Sequence, residues 1–350
     1  MKKILFTGGG SAGHVIPNIA LIEELLSEGK TDVCYIGTDG IEKDIVAAYK
    51  IPYHTISCPK LVRGKSLNAF KNNIQIPYAF HKAVNEAKRG IELFQPDLIF
   101  SKGGYVGLPV VFAAKKLKIP CLAHESDFSM GLANRLSASK CTALLTSFPE
   151  TAKTVKNGKY SGSPIRRCIL SAKREEARKN LAIEEKEKVV LVFGGGSGSK
   201  AINDAIRSNV KILTEKYTIL HVCGRGNVVE NNFKRYRQYE FIKDMGSFYA
   251  ASDLVLSRAG AGTIFELLAL KKPSLLIPLS GATRGDQQQN AAYFAEKGLC
   301  RVLPQAELFS LVKELDDAFS DKDMKTRLLD SNYTQGNARI LQEIRSLLYE

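Results

Sequence analysis

Two stretches of the chain read alike: Ile4–Gly13, ILFTGGGSAG, and Val190–Ser199, VLVFGGGSGS. Each is an unbroken apolar run closed by a glycine turn. A short run without polar alternation is the pattern of a strand buried on both faces. Such strands belong to parallel sheets with helices packed on either side. A helical stretch follows each turn, Pro17–Ser27 after the first and Ala201 to about Leu213 after the second. The repetition predicts two β/α halves of one architecture.

The pattern extends outward from both copies. Around the first, apolar runs at Lys3–Thr7, Val33–Ile36, Leu98–Ser101, Cys121–His124 and Ala143–Thr146 alternate with helical stretches such as Ile41–Tyr49. Around the second, the charged lead-in Glu185–Lys188 precedes strands at Val189–Phe193, Thr218–Cys223, Leu254–Ser257 and Ser274–Ile277. Glycine and proline interrupt the periodicity at KYSGSPIRR, Lys159–Arg167. We therefore expect an α/β protein of two doubly wound parallel-sheet domains, residues 1–162 and 163–334. Helical stretches at Glu307–Phe319 and Ala338–Leu348 follow, and residues 335–350 are expected to pack back on the first domain. Sheets of this kind take ligands beyond their strand carboxyl ends, so the expected site is a cleft between the domains.

A length of 350 residues suits two domains, and 44% apolar with 25% charged residues is a globular composition. Lys2 and Lys3 precede only Ile4–Phe6 before the glycines, which is not a signal-peptide pattern. No stretch approaches the roughly 18 apolar residues of a membrane span. Seven scattered cysteines without C-x-x-C spacing are expected to be reduced thiols of a cytosolic protein. The net charge of +14 points to an anionic partner, whether nucleic acid, anionic membrane or phosphorylated substrate, or else to a solvated lysine-rich surface. No nucleic-acid motif is present and the cations interleave with aliphatic rather than stacking aromatic residues, so no nucleic-acid partner is expected.

Four glycine-rich loops follow strands: Gly8–His14, Ser101–Pro109, Gly194–Ser199 and Ser257–Glu266. Glycine lets backbone N–H groups approach a phosphate, and a following helix adds partial positive charge. Any one such loop could be a plain tight turn; four in matched positions point to a ligand. Gly8, Gly10 and Gly13 spell G-x-G-x-x-G, and Asp39 stands near the place of a ribose acid. That is the rival reading, a dinucleotide-dependent oxidoreductase. It gives no use to His14 or to the fourth loop. There Glu266 lies one turn into a helix, placed to accept hydrogen bonds from two ribose hydroxyls, unless it is an ordinary exposed helix acid.

TGGGSAGHVIPNIAL, SKGGYVGLPVVFAA, HESDFSMGLAN, GSPIR, FGGGSGS, SRAGAGTIFELLAL and RGDQQQNA occur in this order from Thr7 to Ala291. They resemble the MurG family, the bacterial transferases that move N-acetylglucosamine from UDP-N-acetylglucosamine to a lipid-linked N-acetylmuramyl-pentapeptide in peptidoglycan synthesis. The resemblance implies a GT-B architecture and an inverting transfer. The C-terminal domain would hold the sugar nucleotide, and the N-terminal domain the acceptor at the cytoplasmic face of the cell membrane. It implies that Ser11, Ala12 and Gly13 lie on the sugar and acceptor side, with His14 beside the reacting centre. Arg166 would face the nucleotide, and Phe241 and Ile242 would border the uracil. Ala261, Gly262 and Thr263 would offer amides to the diphosphate, Glu266 would take the ribose, and Gln287 and Asn290 the sugar hydroxyls. Two positions depart from the family. Asp127 stands where Asn is common, so its contact with the sugar is expected to differ; Gly196 holds the usual serine position with Ser197 following, so a side-chain contact there is expected to be lost or shifted by one residue.

The reaction needs a base for the attacking hydroxyl, and histidine suits that task. His14 ends a rigid loop; His124, next to Glu125, is the competitor. No Asp-x-Asp stands at a strand end, since Asp316–Asp317 falls in a helical stretch. Fixed amides and Arg166 are therefore expected to hold the leaving diphosphate, with no metal and no cofactor. Within Lys60–Arg89, Lys60, Arg63, Lys65, Lys71, Lys82, Lys88 and Arg89 face one acid, Glu86, among Leu61, Val62, Leu67, Phe70, Ile74, Ile76, Tyr78 and Phe80. That mixture predicts docking on an anionic membrane surface, against the plainer reading of an amphipathic helix packed on its own domain.

Overall fold

The computed structural model describes residues 1–61, 73–281, 285–333 and 336–349. The chain divides into two compact units, Met1–Arg166 with Gln335–Glu350, and Arg167–Thr334.

The first unit is built on strands β1 (Lys2–Thr7), β2 (Thr31–Gly37), β3 (Tyr53–Thr55), β4 (Leu98–Ser101), β5 (Cys121–Glu125), β6 (Ala143–Thr146) and β7 (Gly158–Tyr160). All pair in parallel in the order β3-β2-β1-β4-β5-β6-β7. Side chains on a strand alternate between faces, and here both faces are apolar. Ile4, Phe6, Leu98 and Phe100 enter one layer with Ile19, Ile22 and Leu25 of helix Ile16–Ser27. Leu5, Ile36 and Ile99 enter the other with Val110 and Ile91. The helix Gly336–Tyr349 supplies Ile340, Leu341, Ile344 and Leu348 to the first of these layers.

The second unit holds β8 (Val189–Phe193), β9 (Thr218–Val222), β10 (Tyr236–Tyr239), β11 (Leu254–Ser257), β12 (Ser274–Leu276) and β13 (Arg301–Val302). They pair in parallel in the order β10-β9-β8-β11-β12-β13. Val190, Val192, Leu254, Leu256 and Leu275 form its core with Ile202 and Ile206.

The doubly wound parallel sheets read from the apolar runs are present in both units. Differences lie at edges and helix ends. β3, β7, β10 and β13 are short and rich in polar residues, as edge strands are. The Lys159–Arg167 break begins inside one of them, β7. The stretch from Ala201 to Leu213 is two helices, Lys200–Ser208 and Val210–Lys216, separated at Asn209. The stretch from Glu307 to Phe319 opens as a 3-10 segment, Gln305–Ser310, before the helix Leu311–Ser320. Within Lys60–Arg89, residues 62–72, with Arg63, Lys65, Leu67, Phe70 and Lys71, lie outside the described residues. The remainder contains helix Ile76–Phe94, which buries Ala83, Val84, Ala87, Gly90 and Ile91 and leaves Tyr78 exposed. Among the described residues no helix is long and apolar enough to cross a membrane.

Candidate active site

Strand order decides where loops converge. In the first sheet β1 and β4 are neighbours, and the chain leaves them in opposite directions, toward β2 and β5. The loops beyond their carboxyl ends meet at this switch point, the usual ligand position of an open α/β sheet. They are Gly8–His14 and Lys102–Tyr105. The first closes with a 3-10 turn, Ala12–His14, and His14 Nδ1 lies 3.0 Å from Ser11 Oγ. A Cβ at Gly104 would stand 2.5 Å from the Gly9 carbonyl and 3.2 Å from His14 Nδ1, and its φ is +73°. Only glycine fits there, and its missing side chain is what lets the second loop seat the His14 ring. Burial, and then the charge of Lys102, lower the His14 pKa to about 4, against opposing pulls from Asp127 and Glu42. The imidazole is neutral at neutral pH, the form that accepts a proton.

The loop is braced by a residue that sequence reading passed over. Glu42 is fully buried, and its carboxylate accepts from the amides of Gly10 at 3.1 Å and Thr38 at 3.0 Å, and from the Thr38 hydroxyl. Within IEKDIVA it looks like a solvated helix acid; its position in the first turn after β2 is the sole local hint. The Tyr35 hydroxyl donates to the Gly8 carbonyl at 2.6 Å, and Asn18 Nδ2 to the Thr7 carbonyl at 3.0 Å. Asp39, the ribose acid of the dinucleotide reading, is exposed and paired with Lys43 at 2.6 Å.

β5 ends in His124 and Glu125. His124 is fully buried with Nε2 2.9 Å from the Gly162 carbonyl, and burial beside Lys102 holds its pKa well below the usual range. It joins β5 to the Gly162 turn. Glu125 accepts from Asp127 N at 3.0 Å, Gly131 N at 2.8 Å and Asn134 Nδ2 at 3.0 Å, which fixes the loop that carries Asp127. Arg166 is half-buried, and its Nε has no hydrogen-bond partner among the described residues.

The second unit repeats the geometry. β8 and β11 are neighbours at its switch point, bringing together Gly194–Ser199 and the loop Arg258–Gly260. Arg258 ties them: its guanidinium donates to Ser199 Oγ and Gln305 Oε1, both at 2.7 Å, and to the Ile277 and Pro278 carbonyls. Beside it is a cavity of about 330 Å³ lined by Gly194, Gly198, Ser199, Leu279 and Gln287. Gln287 Oε1 accepts from Leu279 N at 2.9 Å. Helix Ala261–Ala269 begins after Gly260, and Ile264 N is the first amide to bond back, to Gly260 O at 3.0 Å. The amides of Ala261, Gly262 and Thr263 are thus the donor-bearing end of the helix. A Cβ at Gly260 or Gly262 would meet none of the described residues within 4 Å, which leaves room there for a ligand. Glu266 is half-buried one turn later and accepts from the Tyr249 hydroxyl at 2.9 Å. Gly196 and Ser197 form the exposed tip of the first loop, Phe241 is exposed, Ile242 is half-buried, and Asn290 is fully buried.

Two family models cover most of the chain: the glycosyltransferase family 28 N-terminal domain over residues 4–146, and the family 28 C-terminal domain over residues 189–344. A UDP-N-acetylglucosamine--N-acetylmuramyl-(pentapeptide) pyrophosphoryl-undecaprenol N-acetylglucosamine transferase of Clostridium perfringens is 45% identical over 90% of this chain and 89% of its own. The chain belongs to glycosyltransferase family 28, among the MurG enzymes. A Clostridium botulinum member with the same name is 42% identical over 98% of both chains. The crystal structure of Acinetobacter baumannii MurG, at 24% identity, superposes with a TM-score of 0.77 over 99% of this chain and 100% of that one, which fixes the fold. Both sheets are therefore halves of a GT-B glycosyltransferase, and the oxidoreductase reading of Gly8, Gly10 and Gly13 is set aside.

Proposed function

We infer that this family 28 enzyme transfers N-acetylglucosamine from UDP-N-acetylglucosamine to the muramyl sugar of the undecaprenyl-pyrophosphoryl-linked pentapeptide acceptor, with inversion at the anomeric carbon. The observation that carries the mechanistic part is the His14 imidazole, seated between two glycine loops at the β1–β4 switch point.

The second unit takes the donor. Ile242 and Phe241 border the uracil, Glu266 accepts from the ribose, and the amides of Ala261, Gly262 and Thr263 receive the diphosphate. Gln287 attends the sugar, whereas Asn290 is fully buried and does not face it. The first unit supplies the acceptor side through Ser11, Ala12, Gly13 and Asp127. With Nδ1–H donating to Ser11 Oγ, Nε2 of His14 carries the lone pair. The acceptor hydroxyl oxygen bonds to the anomeric carbon as the bond from that carbon to the phosphate oxygen breaks. The electron pair leaves with UDP, and the hydroxyl proton passes to Nε2. Pre-aimed amides stabilise the departing charge where it develops. The acceptor lies in a membrane, so the enzyme works as a peripheral protein on its cytoplasmic face, and the exposed Ile74 and Tyr78 support docking there.

His14→Ala tests the assignment. Sugar transfer should fall on the order of 10²–10⁴-fold while UDP binding, read by calorimetry, is kept. Near-normal turnover would remove His14 from the mechanism, and weakened UDP binding with normal chemistry would recast it as a phosphate contact.

A further inference from the structure

The first glycine loop is spelled like a phosphate cradle, yet its glycines close on a group of the chain itself. Glu42 lies in the first turn of helix Ile41–Ala47, behind β2, and is 0% exposed. One carboxylate oxygen accepts from the Gly10 amide at 3.1 Å. The other accepts from the Thr38 amide at 3.0 Å and from the Thr38 hydroxyl. Taking a carboxylate out of water is costly unless donors replace the water, and here three do.

The glycines make room for it. A Cβ at Gly9 would stand 2.6 Å from Glu42 Cδ, and 2.7 and 2.8 Å from its two oxygens. The Gly9 backbone is not in the left-handed region, so what demands glycine there is space for the carboxylate. On the β2 side, a Cβ at Gly37 would stand 3.0 Å from Glu42 Cγ, and one at Gly40 3.1 Å from Oε2. Gly10, at φ +81°, also has the Tyr105 ring against it, 2.5 Å from where a Cβ would stand. The start of the loop is held separately. Lys102, the first residue after β4 and 1% exposed, gives its amide to the Thr7 carbonyl at 2.9 Å and its Nζ to Ser126 Oγ. After Gly10 the chain passes into the turn that carries His14, whose amide bonds the Ser11 carbonyl at 3.1 Å. Glu42 therefore anchors the loop one residue before that turn begins.

We propose that the Glu42 carboxylate is the resident anion of the first glycine loop: it takes, at Gly9–Gly10, the place a phosphate holds in a nucleotide loop, and thereby positions the Ser11–His14 turn for sugar transfer. The loop offers the carboxylate what such loops offer any anion, a backbone that can be approached closely and an N–H aimed at an oxygen. The Gly10 amide is spent on it, which is a physical reason why the G-x-G-x-x-G spelling does not make a dinucleotide site here. Glu42 is a positioning residue, and the route by which it acts rests on the reading of His14 as the base.

Turnover with UDP-N-acetylglucosamine and a short-chain lipid acceptor, and UDP binding by calorimetry, test this in Glu42→Gln and Glu42→Ala, each alone and with His14→Ala. Glutamine keeps the shape but cannot serve both sides: with its carbonyl on the two Thr38 donors, its N–H2 faces the Gly10 N–H. In both Glu42 variants kcat should fall at least about ten-fold, the effect of a lost charged hydrogen bond, with UDP affinity unchanged. In the His14→Ala background the same substitutions should cost little further, because residues that act through one another are not additive. Where His14→Ala is itself impaired, an equal further loss would mark a general loss of structure and overturn the proposal. So would parent-like kcat in the folded Glu42 variants. Formate probes the anion position directly. It should restore turnover to Glu42→Ala, where the carboxylate's space is open, and not to Glu42→Gln, where an amide fills it. No rescue of Glu42→Ala, or equal stimulation of both variants, counts against a resident anion. Should neither Glu42 variant fold, Gly9→Ala keeps the carboxylate and presses a Cβ on it; kcat should fall likewise, and a parent-like value overturns the proposal. Near-normal turnover in His14→Ala beside a loss in Glu42→Gln would keep Glu42 as the anchor of the loop and overturn His14 as the base.

Discussion

Glu266 accepts from the Tyr249 hydroxyl, and that hydroxyl belongs to a ring buried in the second unit. Glu266→Ala therefore has two expected effects. The lost charged acceptor should weaken UDP binding by about 1.5–3 kcal/mol, roughly ten- to a hundred-fold by calorimetric titration. The buried hydroxyl left without its carboxylate should cost about 1–3 kcal/mol of stability, read as a lower melting temperature. A lower melting temperature with unchanged UDP affinity would make Glu266 a prop for Tyr249 alone. Glu266 and His14 stand out in sequence as candidates because each lies within a turn of a glycine loop at a strand end. Glu42 and Lys102 do not. Their partners come from other strands, so the information sits in the strand order. A lone acid in IEKDIVA and a lone lysine in SKGG carry no local mark of burial.

At the scale of elements, helix Ile76–Phe94 resolves an ambiguity that composition left open. Its inward face is Ala83, Val84, Ala87 and Ile91, spaced one turn apart as a packed amphipathic helix requires. That part of the basic stretch is domain core. Just before and at its start, Ile74 is 66% and Tyr78 78% exposed. Lys82 and Lys88 are held near Glu86 and Glu92, at 3.7 and 3.4 Å, so their charge is partly offset locally. The apolar pair thus becomes the better target than these lysines. Ile74→Ser with Tyr78→Ser should lower binding to anionic vesicles at least about ten-fold, since a large apolar side chain contributes about 1.5–3 kcal/mol on burial. Turnover should fall on membrane-embedded acceptor and persist on a short-chain soluble one. Equal loss on both acceptors would mean that the pair supports the fold. Element ends were the least legible part of the chain. Nothing in the apolar spacing of residues 201–213 marks the break at Asn209. The polar edge strands β3, β7, β10 and β13 bury too little to show a strand pattern.

At the scale of the molecule, chain order and fold order differ. The last helix, Gly336–Tyr349, belongs to the first unit. Its amphipathic spacing is visible in sequence, but its destination follows from the layer of Phe6, Leu98 and Phe100 that its four apolar residues complete. Polar contacts set its register. Asn337 accepts from Ile165 N at 2.7 Å and donates to Ile165 O at 2.9 Å and Glu24 Oε2 at 3.0 Å. Lys159 pairs with Glu343 at 2.7 Å, and Arg345 with Glu28. These exposed pairs contribute little. The apolar term decides: Ile340, Leu341, Ile344 and Leu348, all at most 5% exposed, represent roughly 6–12 kcal/mol of burial as an upper bound. That is comparable with the entire stability of an ordinary domain, about 5–15 kcal/mol. Residues 1–166 expressed alone should therefore lose fixed packing, bind a hydrophobic dye and unfold without a cooperative transition. Residues 167–334, whose core includes none of these side chains, should unfold cooperatively by themselves. Adding residues 335–350 as a peptide should restore a transition to the first fragment, with a midpoint that rises with peptide concentration. A cooperative transition of undiminished stability in residues 1–166 alone would show that the helix only covers a core already complete.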